Sequence, residues 1–244
     1  MTVDFWGTLL LDPPSSDNRY KRRRMADFEL ILGGLGLKVT PVALERAYED
    51  SAGFLGRTWV KNRDVPVTEH VRAILAAVDP GLPGLLPAEA MTALVDAYAR
   101  PALLVPPSVD PGARAALTRL QAQGLTLALL SNTMRTPGVV LRQVLDRFGL
   151  LACFAHTTFS DEVGVRKPGP EIFAATLRAI QVDAAAAVHV GDDAILDVAG
   201  ARQAGLRVIQ VTGAAPSASG APRPDAVIPS LAGLPEAIAR LDHD

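Results

Sequence analysis

The sequence predicts an α/β fold: a Rossmann-like parallel sheet with helices on both faces, carrying an inserted helical cap. Three observations predict it. A short apolar start runs into Asp4, and residues 12–107 show helical periodicity with almost no strand-like runs. From residue 109 onward, short apolar runs alternate with helical segments of about ten residues, the pattern of βαβ units. The first strand must then join the later sheet. The chain divides into an α/β core domain, 1–11 with 108–244, and a helical cap domain, 12–107.

After Asp4, Gly7 and Thr8 provide a tight turn out of the first strand. Residues 17–35 form a helix ending at Gly36, Thr40-Pro41 caps a second that runs past Trp59, Thr68 opens a third reaching Val78, and 88–99 is a fourth. Asp110-Pro111 begins a helix that Gly124 stops. Residues 125–130 are a continuous apolar run, as in strands buried on both faces of a parallel sheet. Thr136-Pro137 starts the next helix, 155–159 is a strand and 170–180 a helix. Then follow strand 187–190, helix 194–204 stopped by Gly205, strand 207–211, and strand 226–228 with a last helix behind it. The Ala-, Pro-, Ser- and Gly-rich stretch 213–224 is a loop rather than a linker, because a strand and a helix still follow it. Only three residues precede Asp4, about 10 Å of strand, so a chain start short of the usual central strand is expected.

With 24 basic and 26 acidic side chains in 244 residues, no global field recruits nucleic acid or an anionic membrane. One cysteine, Cys153, excludes an intramolecular disulfide and reads as a buried thiol, grouped with no histidine at metal-ligand spacing. No run of about eighteen apolar residues exists, and the start has neither a charged leader nor an apolar core. These features predict a cytoplasmic protein, monomer or homodimer, with neither nucleic acid nor membrane as partner. The basic run at 19–24 is read as the solvated face of a helical turn, with guidance of an anionic substrate or a partner as the alternative. Arg57, Trp59, Lys61 and Arg63 are read either as a substrate-reading patch or as an amphipathic helix end.

Chemistry gathers at strand ends, where open α/β sheets bind ligands. Asp4 ends the first strand. Ser131, Asn132 and Thr133 follow the apolar run, offering a hydroxyl and an amide to an anionic oxygen. Arg166-Lys167-Pro168-Gly169-Pro170 delivers a cation just before a helix start, itself an anion-friendly place. Gly191-Asp192-Asp193, with Asp197 early in the next helix, clusters carboxylates that suit a hard cation such as Mg²⁺.

With D-F-W-G-T-L at 4–9, L-S-N-T at 130–133, G-V-R-K-P-G-P-E-I-F at 164–173 and H-V-G-D-D-A-I-L-D-V-A-G-A at 189–201, the chain resembles the haloacid dehalogenase superfamily, specifically phosphatase-like members with a helical cap. The resemblance implies a hydrolase of a small phosphorylated metabolite. Asp4 would be the nucleophile, forming an aspartyl phosphate. Ser131, with Thr8, Asn132 and Lys167, would bind the substrate, and Lys167 would also screen charge between phosphate and nucleophile. Asp192 would bind Mg²⁺ together with Asp4 and the Trp6 backbone carbonyl, with Asp197 supporting the metal and Asp193 a second candidate for that role.

One position departs from the family pattern. Most phosphatases of the superfamily carry a second aspartate two residues after the nucleophile, where this chain has Trp6, and indole can neither protonate a leaving group nor activate water. Two further readings therefore stand beside the phosphatase. One is a phosphate-binding or regulatory protein with little turnover. The other is a C–X bond hydrolase of phosphonatase or haloacid dehalogenase type, the first needing a cap lysine among Lys21, Lys38 and Lys61, the second resembling this chain in its aromatic residue at that position but working without metal, so that Gly191-Asp192-Asp193 argues against it.

Overall fold

The computed structural model describes residues 1–12, 16–213 and 223–241. Of the loop read over 213–224, residues 214–222 lie outside the described residues. Six strands form one sheet in the order β5-β4-β1-β6-β7-β8: β1 is Thr2–Val3, β4 Ala128–Ser131, β5 His156–Phe159, β6 Val188–Gly191, β7 Arg207–Val211 and β8 Ala226–Ile228. Every neighbouring pair is parallel. Parallel neighbours need a crossover between them, and helices supply it before β4, β5, β6 and β7: α7 (Ala113–Ala122), α8 (Gly138–Arg147), α9 (Ser160–Val163) with α10 (Pro170–Ala179), and α11 (Gly200–Gln203); α12 (Leu234–Leu241) follows β8.

Because side chains alternate along a strand, successive residues feed two separate apolar layers. Leu129 and Ile209 pack with Leu117 of α7, Leu141 of α8 and Ile238 of α12. Leu130 and Val208 face the other way, onto Ile172 and Phe173 of α10. Helices therefore cover both faces, as the apolar character of the strands predicts. Cys153 is buried in the first layer as a free thiol.

Although β1 has only two residues, it lies in the middle of the sheet, with Thr2 opposite both Ala128 and His189. The Met1 carbonyl accepts from Ala128 N at 2.9 Å, and the Met1 ammonium donates to Thr126 O at 2.7 Å. The chain leaves β1 for β4 on one side and reaches β6 on the other. That reversal opens a crevice beyond the carboxyl ends of the central strands.

Between β1 and β4 the chain makes α1 (Ser16–Gly34), α2 (Pro41–Trp59), α3 (Val67–Val78), the short α4 (Leu82–Leu85), α5 (Ala88–Ala99) and α6 (Pro101–Leu104). Thr40 caps α2 by accepting from Ala43 N at 3.2 Å, with Pro41 at the first helical position, as its sequence signature predicts. The α1 end closes with Leu37 N donating to Leu32 O at 3.1 Å, past Gly36. These helices share an apolar cluster of their own, built on Phe28, Leu32, Leu44, Ile74, Leu94 and Tyr98. Two features have no signal in the sequence. A two-stranded antiparallel ribbon, β2 (Leu10–Leu11) with β3 (Ser108–Val109), ties the chain where it leaves the sheet to where it returns. Ala102 of α6 and Tyr20 of α1 are buried against the layer under the sheet rather than in the helical cluster. Among the described residues, no helix is long and apolar enough to cross a membrane.

His70 of α3 sits inside the helical cluster with Nδ1 3.3 Å from the Tyr98 hydroxyl and Nε2 without a partner among the described residues. Burial pulls its pKa down to about 3, with the Arg135 and Arg24 guanidiniums adding to the effect. An unfolded imidazole titrates near about 6.5, so between those values the unfolded chain binds a proton that the folded chain refuses. The stability His70 contributes is complete above about pH 6.5 and is lost as the pH falls toward 3. Melting temperature is expected to drop more steeply between about pH 7 and 5 in the native chain than in His70→Phe; parallel slopes would refute this.

Candidate active site

Asp4 follows β1 directly, and its backbone N–H donates to Val190 O at 2.9 Å, which holds it beside the end of β6. Lys167, from the loop before α10, reaches Asp4 Oδ1 and Asp197 Oδ1, each at 2.5 Å. The ligand oxygens of Asp4, Asp192 and Asp197 lie within 4.8 Å of one another. Three carboxylates thus meet one ammonium, and nearly all of this charge is buried, Lys167 at 2% exposure.

The electrostatics follow from that count. Burial pushes Asp4 up to about 8; Lys167 opposes it, and the carboxylates of Asp197 and Asp192 add to it. Burial also raises Asp192 to about 6, helped by Asp197. For Asp197, burial pushes upward, but Lys167 and His189 outweigh it and hold the carboxyl below the usual range. Burial would lower Lys167, yet Asp197 and Asp4 outweigh it and hold its ammonium charged. An all-carboxylate oxygen set with charge left over suits a hard divalent cation. The residues present therefore fit Mg²⁺.

Supporting bonds fix each group. His189, fully buried in β6, bridges Thr2 Oγ1 at 2.8 Å and Asp197 Oδ1 at 2.9 Å. Asp197 lies in a π-type turn, Ala194–Ala199, and its Oδ2 accepts from Asp193 N at 3.0 Å. A Cβ on Gly191 would stand 2.2 Å from Asp197 Cγ, and one on Gly7, which has φ 76°, would stand 2.4 Å from Asp192 Oδ2. Both glycines are what the sequence needs for the carboxylates to approach.

The other expected site residues are placed around this trio. Asp193 is not in the trio: its Oδ1 caps the next turn, accepting from Ile195 N and Leu196 N at 2.7 Å each. A helix start without a cap leaves orphan N–H groups, and Asp193 is the residue placed to take them. Thr8 is fully buried and donates to Asp192 Oδ1 at 3.2 Å, a bond that orients the carboxylate. Ser131 is likewise fully buried, its hydroxyl donating to Asn132 O at 3.2 Å. Asn132 lines the small cup above Asp4, and its amide is engaged with the Lys167 main chain, Nδ2 to the carbonyl at 3.0 Å and Oδ1 from the N–H at 2.8 Å.

Trp6 and Met134 form the neck between two spaces. Below them lies a cup of about 140 Å³ floored by Asp4, Lys167, Asp192 and Asp197; above them lies a cleft of about 580 Å³ between the sheet's edge and the inserted helices. The Trp6 ring meets Phe5 edge-on at 4.7 Å, and its Nε1 has no partner among the described residues. Indole is therefore a wall here.

Asp64 is the residue that sequence reasoning missed. It lies in the α2–α3 loop, close to the Trp59 patch, yet its carboxylate is buried against the sheet side, accepting from Ser160 Oγ at 2.5 Å, Trp59 Nε1 at 3.0 Å and Arg166 Nη1 at 3.4 Å. Arg166 lies over the Trp59 ring at 4.2 Å, and its N–H donates to Asn62 O at 3.1 Å. The inserted helices are thereby pinned to the residue preceding Lys167. Asp64→Ala would strip a buried hydroxyl and a buried guanidinium of their shared acceptor, and a loss of about 2 kcal/mol in urea unfolding is expected; a change under about 0.5 kcal/mol would show the contact to be idle.

Among curated proteins, the chain is 38% identical over 101 residues to the glyceraldehyde 3-phosphate phosphatase of Pyrococcus abyssi, covering 41% of this chain and 40% of that one. It is 38% identical over 130 residues to a plasmid phosphoglycolate phosphatase of Cupriavidus necator, covering 52% and 54%. The matched segments thus span about half or less of these relatives' own length. Among solved structures, the 2-haloacid dehalogenase from Pseudomonas syringae pv. Tomato DC3000 superposes with a TM-score of 0.71 at 27% identity, covering 98% of this chain and 97% of that one. The model of the haloacid dehalogenase-like hydrolases matches residues 2–205, from the start of β1 through the carboxylates after β6. The chain belongs to the haloacid dehalogenase-like hydrolase family.

Proposed function

We propose that this hydrolase is a Mg²⁺-dependent phosphatase of a small phosphorylated metabolite, acting through an aspartyl phosphate on Asp4. The observation that carries the reading is the imbalance of three carboxylates, Asp4, Asp192 and Asp197, around the single Lys167 ammonium. Asp4, Asp192 and Asp197, with the Trp6 carbonyl, would hold the metal, which when bound supplies the positive charge that lets a phosphoryl dianion approach a carboxylate. Lys167 holds Asp4 Oδ1 and leaves Oδ2 to attack phosphorus; Lys167, its main chain fixed by the Asn132 amide, would screen the phosphoryl oxygens. Water then hydrolyses the acyl phosphate. Residues 12–107 serve as a cap whose helices close the leaving-group cleft. The phosphatase names among the curated relatives point the same way.

Trp6 offers no proton, so turnover should favour leaving groups that need none. Phosphate release from p-nitrophenyl phosphate and acetyl phosphate is expected to exceed release from a sugar phosphate, and to stop with chelator. Asp192→Asn should raise the Mg²⁺ concentration for half-maximal activity by about tenfold or more. No release from either activated compound with Mg²⁺ present would reject the phosphatase.

The aromatic Trp6 and the 27% identity to a haloacid dehalogenase support a second reading, hydrolysis of a C–X bond. Halide release from 2-chloropropionate that chelator leaves unchanged would establish it instead. The phosphonatase branch is less suited: Lys21, the cap lysine on the cleft wall, is ion-paired with Glu45 at 2.8 Å and Glu49 at 2.7 Å, which favours its protonated form.

A further inference from the structure

Two guanidiniums stand at the cleft with no anionic partner among the described residues. Arg24, from the basic run at 19–24, does not face solvent as that run suggests: it turns inward and is 2% exposed. Its bonds all go to neutral acceptors: Tyr98 O at 2.7 Å, Tyr48 OH at 3.0 Å, Arg135 O at 2.9 Å and Thr136 Oγ1 at 3.4 Å. Arg135, half-buried, follows the Ser131-Asn132-Thr133-Met134 turn. Its Nη1 donates to Ser51 Oγ and Tyr98 OH, each at 3.0 Å, and its plane lies over the Tyr48 ring at 4.2 Å. Among the described residues its Nη2 and Nε have no acceptor, and neither arginine forms an ion pair. Asp12 and Asp17 line the same cleft without pairing with either, and Lys21 is taken up by Glu45 and Glu49.

A buried charge held only by neutral groups is costly, and burial falls on charged side chains without reward unless something pairs with them. His70, behind this wall, cannot pair with them and is itself kept neutral. The arrangement is rigid, since aromatic faces and hydroxyls fix both guanidinium planes, and a fixed fork suits bidentate recognition of a carboxylate or phosphate. The cleft, at about 580 Å³, has room for a ligand much larger than the phosphoryl group that the cup below would take.

We propose that Arg135, backed by Arg24, forms an anion subsite that seats a second negatively charged group, a carboxylate or a second phosphate, on the non-reacting part of the substrate. The proposal rests on the reading of the Asp4 cup as a phosphoryl site and narrows its substrate class to compounds with two anionic ends. Trp6, Tyr20, Tyr48 and Trp59 line the space between the two ends, so the connecting body would lie against aromatic faces.

The sequence contains two tryptophans, Trp6 and Trp59, and both line the cleft, so intrinsic fluorescence reads binding without turnover. The experiment titrates the full chain with Mg²⁺ present, using three non-hydrolysable probes: 4-carboxybenzylphosphonate, p-xylylene bisphosphonate and the neutral-ended 4-carbamoylbenzylphosphonate. At least one dianionic-ended probe is expected to bind about tenfold tighter than the carboxamide, and which one does so identifies the carboxylate or phosphate. That ratio, taken within each variant, should fall below about twofold in Arg135→Gln and be partly kept in Arg135→Lys. Equal affinities in the native chain, or an advantage that survives Arg135→Gln, overturn the subsite. Terephthalate, which has no phosphonate, separates the two readings: quenching by it with no binding of the carboxamide probe removes the phosphoryl cup and keeps the subsite. No saturable quenching by any probe removes both.

Discussion

Trp6→Asp is expected to raise phosphate release from an alkyl phosphate by about 10²-fold or more, because a positioned acid–base group is worth about 10²–10⁴ in rate. Trp6 stands at the neck between the cup over Asp4 and the cleft, so a carboxyl introduced there faces the oxygen that leaves phosphorus. An acetyl phosphate leaving group departs as a carboxylate without a proton and should gain far less. That difference separates acid catalysis from mere widening of the neck, which would speed both compounds alike. Removing the indole also loses its edge contact with Phe5 at 4.7 Å, and about 1–3 kcal/mol of stability with it. Assays therefore belong well below the variant's melting temperature. Equal changes for alkyl and acyl phosphates would refute the role assigned to this position.

Asp4→Asn is expected to lower phosphate release from every substrate by about 10³-fold or more, the amide being too weak a nucleophile to form the covalent intermediate. Stability should move the other way. Asp4 is the carboxylate that burial and its acidic neighbours push up to about 8, so an uncharged amide relieves repulsion, and its carbonyl can still accept from Lys167. A melting temperature equal to or above that of the native chain, beside lost turnover, would assign the loss to chemistry. Retained activity would move the nucleophile elsewhere and defeat the proposed mechanism.

How much of this is legible in the sequence depends on how far each feature reaches. The strands read at 155–159, 187–190 and 207–211 fall within one residue of His156–Phe159, Val188–Gly191 and Arg207–Val211. The four long inserted helices agree equally well, because caps, prolines and apolar period are local signals. The ribbon of Leu10–Leu11 with Ser108–Val109 does not show, since each strand has two residues and its partner is nearly a hundred positions away. Within the site, the residue types at the strand ends were apparent, but the division of labour was not. Asp193 and Asp197 are both acidic and adjacent to the same turn; only the π-type turn sends Asp197 back to Lys167 and leaves Asp193 to cap. Arg24 looks like its neighbours in a basic run, and only the packing of α1 against Tyr98 turns it inward.

The sequence by itself determined the fold class, the order of strands and helices, and the gathering of Asp4, Lys167 and the Gly191-Asp192-Asp193 carboxylates at one edge of the sheet. Those follow from periodicity, turn chemistry and the parallel sense of βαβ units, all carried by short segments. Tertiary structure alone decided that Thr8 donates to Asp192, that Asn132 bonds the Lys167 main chain, that Asp64 reaches across to Ser160 and Arg166, and that Arg24 and Arg135 line the cleft with no ion pair among the described residues. Each of those joins groups far apart in the chain, and only the packing of whole elements, which no local signal encodes, sets which polar groups are buried together and must pair.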